Sequence, residues 1–217
     1  MHILRNPKFG MWLQSNMSHI LLINGRMQLT PEQEAASPLT IVACLLSTNI
    51  VGKSSQCLSL TYLCGQHSPP DNPLQGPGGM LRCLSSQLAE TITREKADLS
   101  TIDLTFVEGI KAHDVATLYK LFKLLLFSTT QQVIFVIIDG ISIMEEGPLA
   151  QDFGNVVVSL CDLVNELNRL NTGRIIKVLL TNPSASIYGH HWLPEECTLE
   201  MDDVEEWMDP PINAEDL

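Results

Sequence analysis

An aspartate that follows an apolar run is the residue in this sequence best suited to chemistry. Residues 133–138 are all apolar and rich in β-branched side chains, and Asp139-Gly140 follow directly. A short, uninterrupted run of this kind predicts a buried central strand. A carboxylate at the end of such a strand lies where open parallel sheets bind ligands, and in phosphate-transferring proteins it holds Mg²⁺. The alternative is a core strand closed by an Asp-Gly turn.

Two polar residues end another apolar run. Residues 174–181 read RIIKVLLT, and Asn182 follows before a proline. This run predicts a second buried strand. Thr181 and Asn182 are then placed to contact a phosphate or a water molecule, and the alternative is a turn that caps the strand.

The loop after the first predicted strand lacks the residues that grip phosphates. A loop of the G-x-x-x-x-G-K-[ST] type wraps phosphates with backbone N–H groups and reaches the terminal phosphates with its lysine. After Gly25 the sequence reads RMQLTPEQEAASPL, which has neither a second glycine nor a lysine. Glu32 and Glu34 would also repel a phosphate, at a cost of about 1 kcal/mol or more in a partly desolvated site.

A second stretch comes closer to this motif. Residues 47–54 read STNIVGKS and match the pattern, with Lys53 as the lysine, except for a serine in place of the first glycine. They form a phosphate loop only if residues 39–46 are a strand and a helix follows. The sequence favours the opposite arrangement, a helix capped by Ser37 followed by a strand at residues 56–64.

Strand and helix patterns alternate along the chain. Predicted strands cover residues 19–24, 56–64, 133–138 and 174–181. Predicted helices, with apolar residues at three-and-four spacing, cover residues 9–16, 38–51, about 79–92, 115–127 and 152–170. The alternation predicts an α/β fold, a three-layer sandwich whose mainly parallel sheet is covered by helices on both faces. We further expect the strands at residues 19–24 and 133–138 to be neighbours.

Several stretches together resemble one protein family. In chain order they are MWLQS before ILLINGR, TYLCGQH before PLQGPGGMLRCLSSQLA, FVIIDGISIMEE, and KVLLTNPSAS. Their order and spacing over residues 12–188 resemble the P-loop NTPase fold and, more narrowly, the NACHT-like (STAND) signal-transduction ATPases that are abundant in filamentous fungi. The resemblance implies that FVIIDGISIMEE is the Walker B segment, in which Asp139 would hold Mg²⁺. It also implies a Walker A loop at Gly25, and there this sequence is degenerate.

The departures from the family decide the functional prediction. Ile141-Ser142 occupy the place where the family carries a water-activating carboxylate, and Glu145 and Glu146 come later. We therefore predict a non-catalytic NACHT-like P-loop domain without a cofactor, acting as a structural or protein-interaction module. The alternative is a weak ATP- or GTP-binding protein or NTPase that uses Asp139 and Lys53 with ATP and Mg²⁺. A third hypothesis is a domain of a longer chain.

Charge and hydropathy narrow the predicted partners. The net charge of −12 is concentrated after residue 194, where no lysine or arginine occurs, and no basic stripe suits a nucleic acid. No apolar run reaches the ~18 residues that cross a bilayer, and no signal peptide is evident, so we expect no membrane and a cytoplasmic location. A protein partner or self-association remains.

Three segments follow from these patterns. We predict an N-terminal docking segment at residues 1–18, a P-loop NTPase-like α/β domain at 19–193 and an acidic C-terminal tail at 194–217. The tail is predicted as a solvated end, with an acidic interaction arm as the alternative.

Overall fold

A computed structural model of the chain describes residues 2–51, 54, 56–95, 104–171 and 173–201. Its strands are β1 (His19–Asn24), β2 (Cys57–Leu63), β3 (Val133–Asp139), β4 (Ile175–Asn182) and β5 (Thr198–Glu200). They form a five-stranded sheet in the order β2-β3-β4-β1-β5, and every pairing is parallel.

Helices cover both faces of this sheet. They are α1 (Pro7–Gln14), α2 (Pro31–Glu34), α3 (Pro38–Val51), α4 (Gly76–Glu95), α5 (Leu104–Lys111), α6 (Val115–Ser128), α7 (Leu149–Leu170) and α8 (Gly189–Trp192). Buried side chains of α1 and α3 form one core with one face of the sheet, and those of α4, α6 and α7 form a larger core with the other face. The predicted three-layer α/β sandwich is therefore confirmed.

The apolar runs follow from this double burial. Successive strand side chains point to opposite faces, so Ile20 and Leu22 enter the core beneath α7, whereas Leu21 and Ile23 enter the core beneath α1 and α3. A strand covered on both faces has no position for an exposed polar side chain. This explains why β1 and β3 read as unbroken hydrophobic segments and why Lys177, the charged residue within β4, is itself buried.

The expected contact between β1 and β3 is wrong, because β4 lies between them. After β1 the chain passes through α3 to β2 at the far edge of the sheet, which leaves two strand positions between β1 and β2. β3 then occupies the position beside β2, and β4 the position beside β1. Asp139 is in register with Thr181, and Asn24 with Asn182. The ends of β1 and β3 are consequently two strand spacings, about 10 Å, apart.

Some short elements had no counterpart in the sequence patterns. The predicted loop at residues 26–36 contains α2, the polar stretch at 95–111 contains α5, and α4 begins at Gly76, three residues before the predicted start. Within the predicted tail, residues 198–200 form β5, which pairs with Leu22–Asn24 of β1. The rest of the predicted tail, residues 202–217, lies outside the described residues.

The N-terminal segment is attached to the sheet by α1. Phe9 and Trp12 are buried, and the Trp12 indole Nε1 donates to the carbonyl of Val178 at 3.2 Å. The buried Lys177 ammonium returns a hydrogen bond from Nζ to the Trp12 carbonyl at 2.7 Å. These reciprocal bonds hold the carboxyl end of α1 on β4.

Lys177 should make stability depend on pH. Burial lowers the pKa of Lys177 from 10.5 to about 8, so between these values the unfolded chain binds a proton that the folded chain does not, and stability rises with pH. Relative to Lys177→Met, the wild type should gain about 3 kcal/mol of unfolding free energy between pH 7 and 10.5. Urea unfolding across this range measures the difference. The exposed-site variant Lys120→Met is the control, and a pH-independent difference for Lys177→Met would contradict the assignment.

Candidate functional site

Asp139 lies at the carboxyl end of β3 and is 2% exposed. Its Oδ1 accepts a hydrogen bond from the Thr181 hydroxyl at 2.5 Å, and its Oδ2 accepts one from the Thr40 hydroxyl at 2.7 Å. The carboxylate therefore connects three elements, because Thr181 belongs to β4 and Thr40 to the first turn of α3.

Burial controls the protonation of this carboxyl. It raises the pKa of Asp139, and the hydrogen bonds from Thr181 and Thr40, which stabilise the charged form, lower the pKa by less. The neighbouring Cys64 thiol is also buried, and its pKa is raised first by burial and then by the charge of Asp139. The site therefore disfavours negative charge.

Thr40 was not recognised from the sequence. Ser37 and Thr40 form a reciprocal cap at the start of α3: the Thr40 amide donates to Ser37 Oγ at 3.3 Å, and the Ser37 amide donates to Thr40 Oγ1 at 3.0 Å. A phosphate loop also carries a Ser/Thr at a helix start, but there the helix follows the first strand directly, whereas here α2 stands between β1 and α3. The preceding residues are Pro38-Leu39 where the motif has Gly-Lys, so a search for Gly-Lys fails.

Leu39 occupies the space near the end of β1. It is fully buried, and its methyl group would lie 3.2 Å from a Cβ placed on Gly25. The same hypothetical Cβ would lie 2.7 Å from the Pro183 carbonyl oxygen. Gly25 is therefore needed for close packing between the strand ends, and this space holds an apolar side chain.

Backbone hydrogen bonds close the crevice between β1 and β4. The chain turns to opposite faces after these strands, toward α3 and toward α8, which makes this the switch point where open sheets bind ligands. Here three consecutive amides after β1 donate to carbonyls at and after the end of β4, at 2.8–3.1 Å: Gly25 to Asn182, Arg26 to Ser184 and Met27 to Pro183. These donors face protein rather than an open cleft.

The amides of the following loop are also engaged. The Thr30 amide donates to Gln33 Oε1, and the Gln33 amide donates to Thr30 Oγ1. The Glu34 amide donates to the Thr30 carbonyl, and the Ala36 amide to the Gln33 carbonyl. These bonds form α2 and its flanking turns, so their N–H groups are not arranged around an anion.

Asn182 lies beside Thr181 but serves a different contact. Its Oδ1 accepts from the Ser184 amide at 3.3 Å and the Ser184 hydroxyl at 3.1 Å, which forms a turn after β4. Its Nδ2 is buried and has no hydrogen-bond partner within the described residues. Of the two polar residues predicted here, Thr181 therefore reaches Asp139, and the Asn182 side chain caps the strand.

The near-motif at residues 47–54 is not a phosphate loop, because residues 38–51 are helical and β2 follows. Ser47 accepts hydrogen bonds from the Ser59 and Thr61 hydroxyls at 3.0 and 2.8 Å, which pack the end of α3 on β2. The Ser54 carbonyl accepts a hydrogen bond from the amide of Cys57, the first residue of β2. Cys57 is in register with Val133 at the start of β3, so it lies about 20 Å from Asp139 along the strand direction. Lys53 itself lies outside the described residues.

Glu145 holds a loop in place. The side chain is 4% exposed, and it accepts hydrogen bonds from the Ser186 hydroxyl, the Ile187 amide at 2.9 Å and the Tyr188 amide at 3.4 Å. Both of its oxygens are used in fixing the connection between β4 and α8. Glu146, in contrast, is exposed.

A cavity of about 630 Å³ lies near the end of β1, away from Asp139. Asn24, Arg26 and Glu200 line it, and Glu200 already accepts from Asn24 Nδ2 and Arg26 Nε, both at 2.7 Å. The Asp139 carboxylate does not line this cavity.

Two searches of the described residues and three comparisons complete the description of the site. In the part of the chain that the structure describes, no three His, Cys, Asp or Glu side chains gather as metal ligands. Among the described helices, none combines the length and apolarity needed to cross a bilayer. No protein-family model, curated protein or solved structure matched the chain.

Removing either of the two threonine hydroxyls that donate to Asp139 should destabilise the fold. Thr181→Val and Thr40→Val keep the side-chain shape and leave one carboxylate oxygen without its donor, so each should lower the unfolding free energy by about 2 kcal/mol. Thr93→Val is the matched control, since Thr93 is exposed and bonds only within α4. Urea unfolding at pH 7 measures the losses, and a loss no larger than that of the control would contradict the assigned contact.

The raised pKa of Asp139 predicts a second pH effect. Between the unfolded value of 3.8 and the higher folded value, the folded chain retains a proton that the unfolded chain releases, so stability falls as pH rises. In Asp139→Asn this fall is absent, and the variant should gain stability relative to the wild type from about pH 4 to pH 7. Asp152→Asn, at an exposed site, is the control. A difference of opposite sign would show that Asp139 gains charge on folding.

Proposed function

We propose that the chain is a non-catalytic NACHT-like P-loop domain that acts, without nucleotide, as a scaffold for protein interaction. The observation that carries the proposal is the engagement of Asp139 by Thr40 and Thr181. The groups that would hold a metal in a nucleotide site stabilise the fold instead.

The chemistry of Mg²⁺ supports this assignment. Mg²⁺ needs near-octahedral oxygen coordination and keeps several waters in sites of this type. Asp139 is buried and has donors on both oxygens, so coordination of a metal would require opening of its contacts with α3 and β4. Burial also raises its pKa, which opposes the charged form that a metal requires.

The phosphate side of the site supports the same conclusion. The amides after Gly25 bond to the carbonyls that follow β4, and Leu39 stands where the motif has its lysine. A phosphate placed here would meet an apolar side chain, and the nearby cation, Arg26, already donates to Glu200.

One observation favours the alternative, a weak ATP- or GTP-binding protein or NTPase that uses Mg²⁺. Thr40 and Asp139 are the pair of oxygen ligands, one at a helix start and one at a strand end, that phosphate-loop proteins place around Mg²⁺. In this alternative, the contacts of Asp139 with Thr40 and Thr181 open when ligand binds.

Thermal unfolding with nucleotide separates these functions. Wild type, Asp139→Asn and the exposed-site control Asp71→Asn are melted with ATP or GTP, with and without Mg²⁺. The proposal expects no saturable, Mg²⁺-dependent stabilisation of any of them. A ligand at 100 times its Kd would add ~2.7 kcal/mol, which a melting curve detects readily. Stabilisation of the wild type and of Asp71→Asn that is lost in Asp139→Asn would establish the alternative.

A further inference from the structure

Strand β2 is the long edge strand of the sheet. It has seven residues, and among the described strands it pairs with β3 alone, whereas the edge strand on the other side, β5, has three residues. A long edge strand presents unpaired backbone N–H and C=O groups, which are a template for pairing with another chain. The outer edge of β2 is therefore the part of this sheet where a further strand could be added.

Every second residue of β2 directs its backbone groups away from β3. The carbonyl of Gln56, just before the strand, accepts hydrogen bonds from the amides of Gln132 and Val133, so the even-numbered residues face β3. The odd-numbered residues face outward, and they are Cys57, Ser59, Thr61 and Leu63. The Cys57 amide donates to the Ser54 carbonyl at 3.2 Å, and a helical turn begins directly after Leu63. The central positions of the outer edge are therefore Ser59 and Thr61.

A glutamine side chain occupies one of these two positions. Gln87 of α4 accepts a hydrogen bond from the Thr61 amide through Oε1 at 2.9 Å, and its Nε2 donates to the Thr61 carbonyl at 2.8 Å. A side-chain amide carries the same acceptor and donor groups as a peptide bond. Gln87 therefore makes the two hydrogen bonds that a residue of an additional strand would make with Thr61.

Packing of α4 holds this amide at the edge. Leu84 and Leu88, on either side of Gln87 in the helix, are buried in the same core as Leu60 and Tyr62 of β2. Nε2 of Gln87 also lies 3.4 Å from the sulfur of Cys83, one helical turn earlier, which accepts its second N–H. The orientation of the amide is therefore set from both sides, by the strand and by its own helix.

We propose that Gln87 closes the outer edge of β2 against the addition of a strand from another chain. Between Cys57 and the capped Thr61, Ser59 is left with an outward N–H and C=O that make no hydrogen bond within the described residues. One open residue is too short to hold a neighbouring strand, because strand pairing needs several successive bonds. This inference concerns the growth of the sheet and does not rest on the proposed function.

Amide hydrogen exchange tests the contact in the folded chain. Corrected for intrinsic rates, the Thr61 amide should exchange about tenfold or more slowly than the Ser59 amide, because both face outward and Gln87 bonds to Thr61 alone. Gln87→Met keeps the length and helix propensity of the side chain but has neither an N–H nor a carbonyl. It should remove this difference, and equal exchange of the two amides in the wild type would overturn the inference.

Sedimentation velocity over a concentration series tests the consequence for the full chain. Gln87→Met should self-associate about tenfold more tightly than the wild type, because Ser59 and Thr61 can then both pair with β2 of a second copy. Gln151→Met is the matched control, since Gln151 is an exposed glutamine of α7 that bonds to Asn155 within the same helix. This control should associate no more than the wild type. Circular dichroism verifies that the variants fold.

A proline at Ser59 separates strand pairing from association through any other surface. Ser59→Pro removes the outward N–H, a change that edge strands tolerate. The double variant of Ser59→Pro with Gln87→Met should therefore return to the association of the wild type. A Gln87→Met chain that associates no more than the wild type, or an excess association that Ser59→Pro leaves intact, would overturn the inference. These measurements use no nucleotide, so their failure is distinct from a failure of the proposed function.

Discussion

The structure depends on a buried carboxylate shared by two hydroxyls. A charge in a dry interior is costly unless it is paired, and the hydrogen-bond donors of Asp139 are Thr40 and Thr181. Its stabilising role is therefore geometric as much as energetic. One side chain fixes the end of β3 to the end of β4 and to the first turn of α3, and so sets where α3 lies across the sheet.

A second constraint acts on the same edge. The amides after β1 and the carbonyls after β4 continue the pairing of the two strands beyond the sheet, and Leu39 fills the space beside Gly25. In a phosphate-binding sheet the backbone amides after the strand point out of the fold and are free to bind an anion. Here their mutual bonds couple the loop, the helix and the strands into one unit.

The strands were predictable because double burial produces continuous apolar runs, and α3 and α6 were predictable because Ser37 and Asp114 mark their starts. The order of the strands was not predictable, since it depends on how far the α3 connection crosses the sheet. Thr40 was missed because its meaning comes from a partner 99 residues away. β5 was missed because three residues in an acidic stretch show no strand pattern.

A comparison of α3 with α7 shows which features the fold requires. Both helices cover the same sheet and bury an apolar face, but α7 places Asp152, Asp162 and Arg169 on its solvent side. A charged outer face is therefore compatible with covering this sheet, and the uncharged outer face of α3 is not a consequence of its position in the fold.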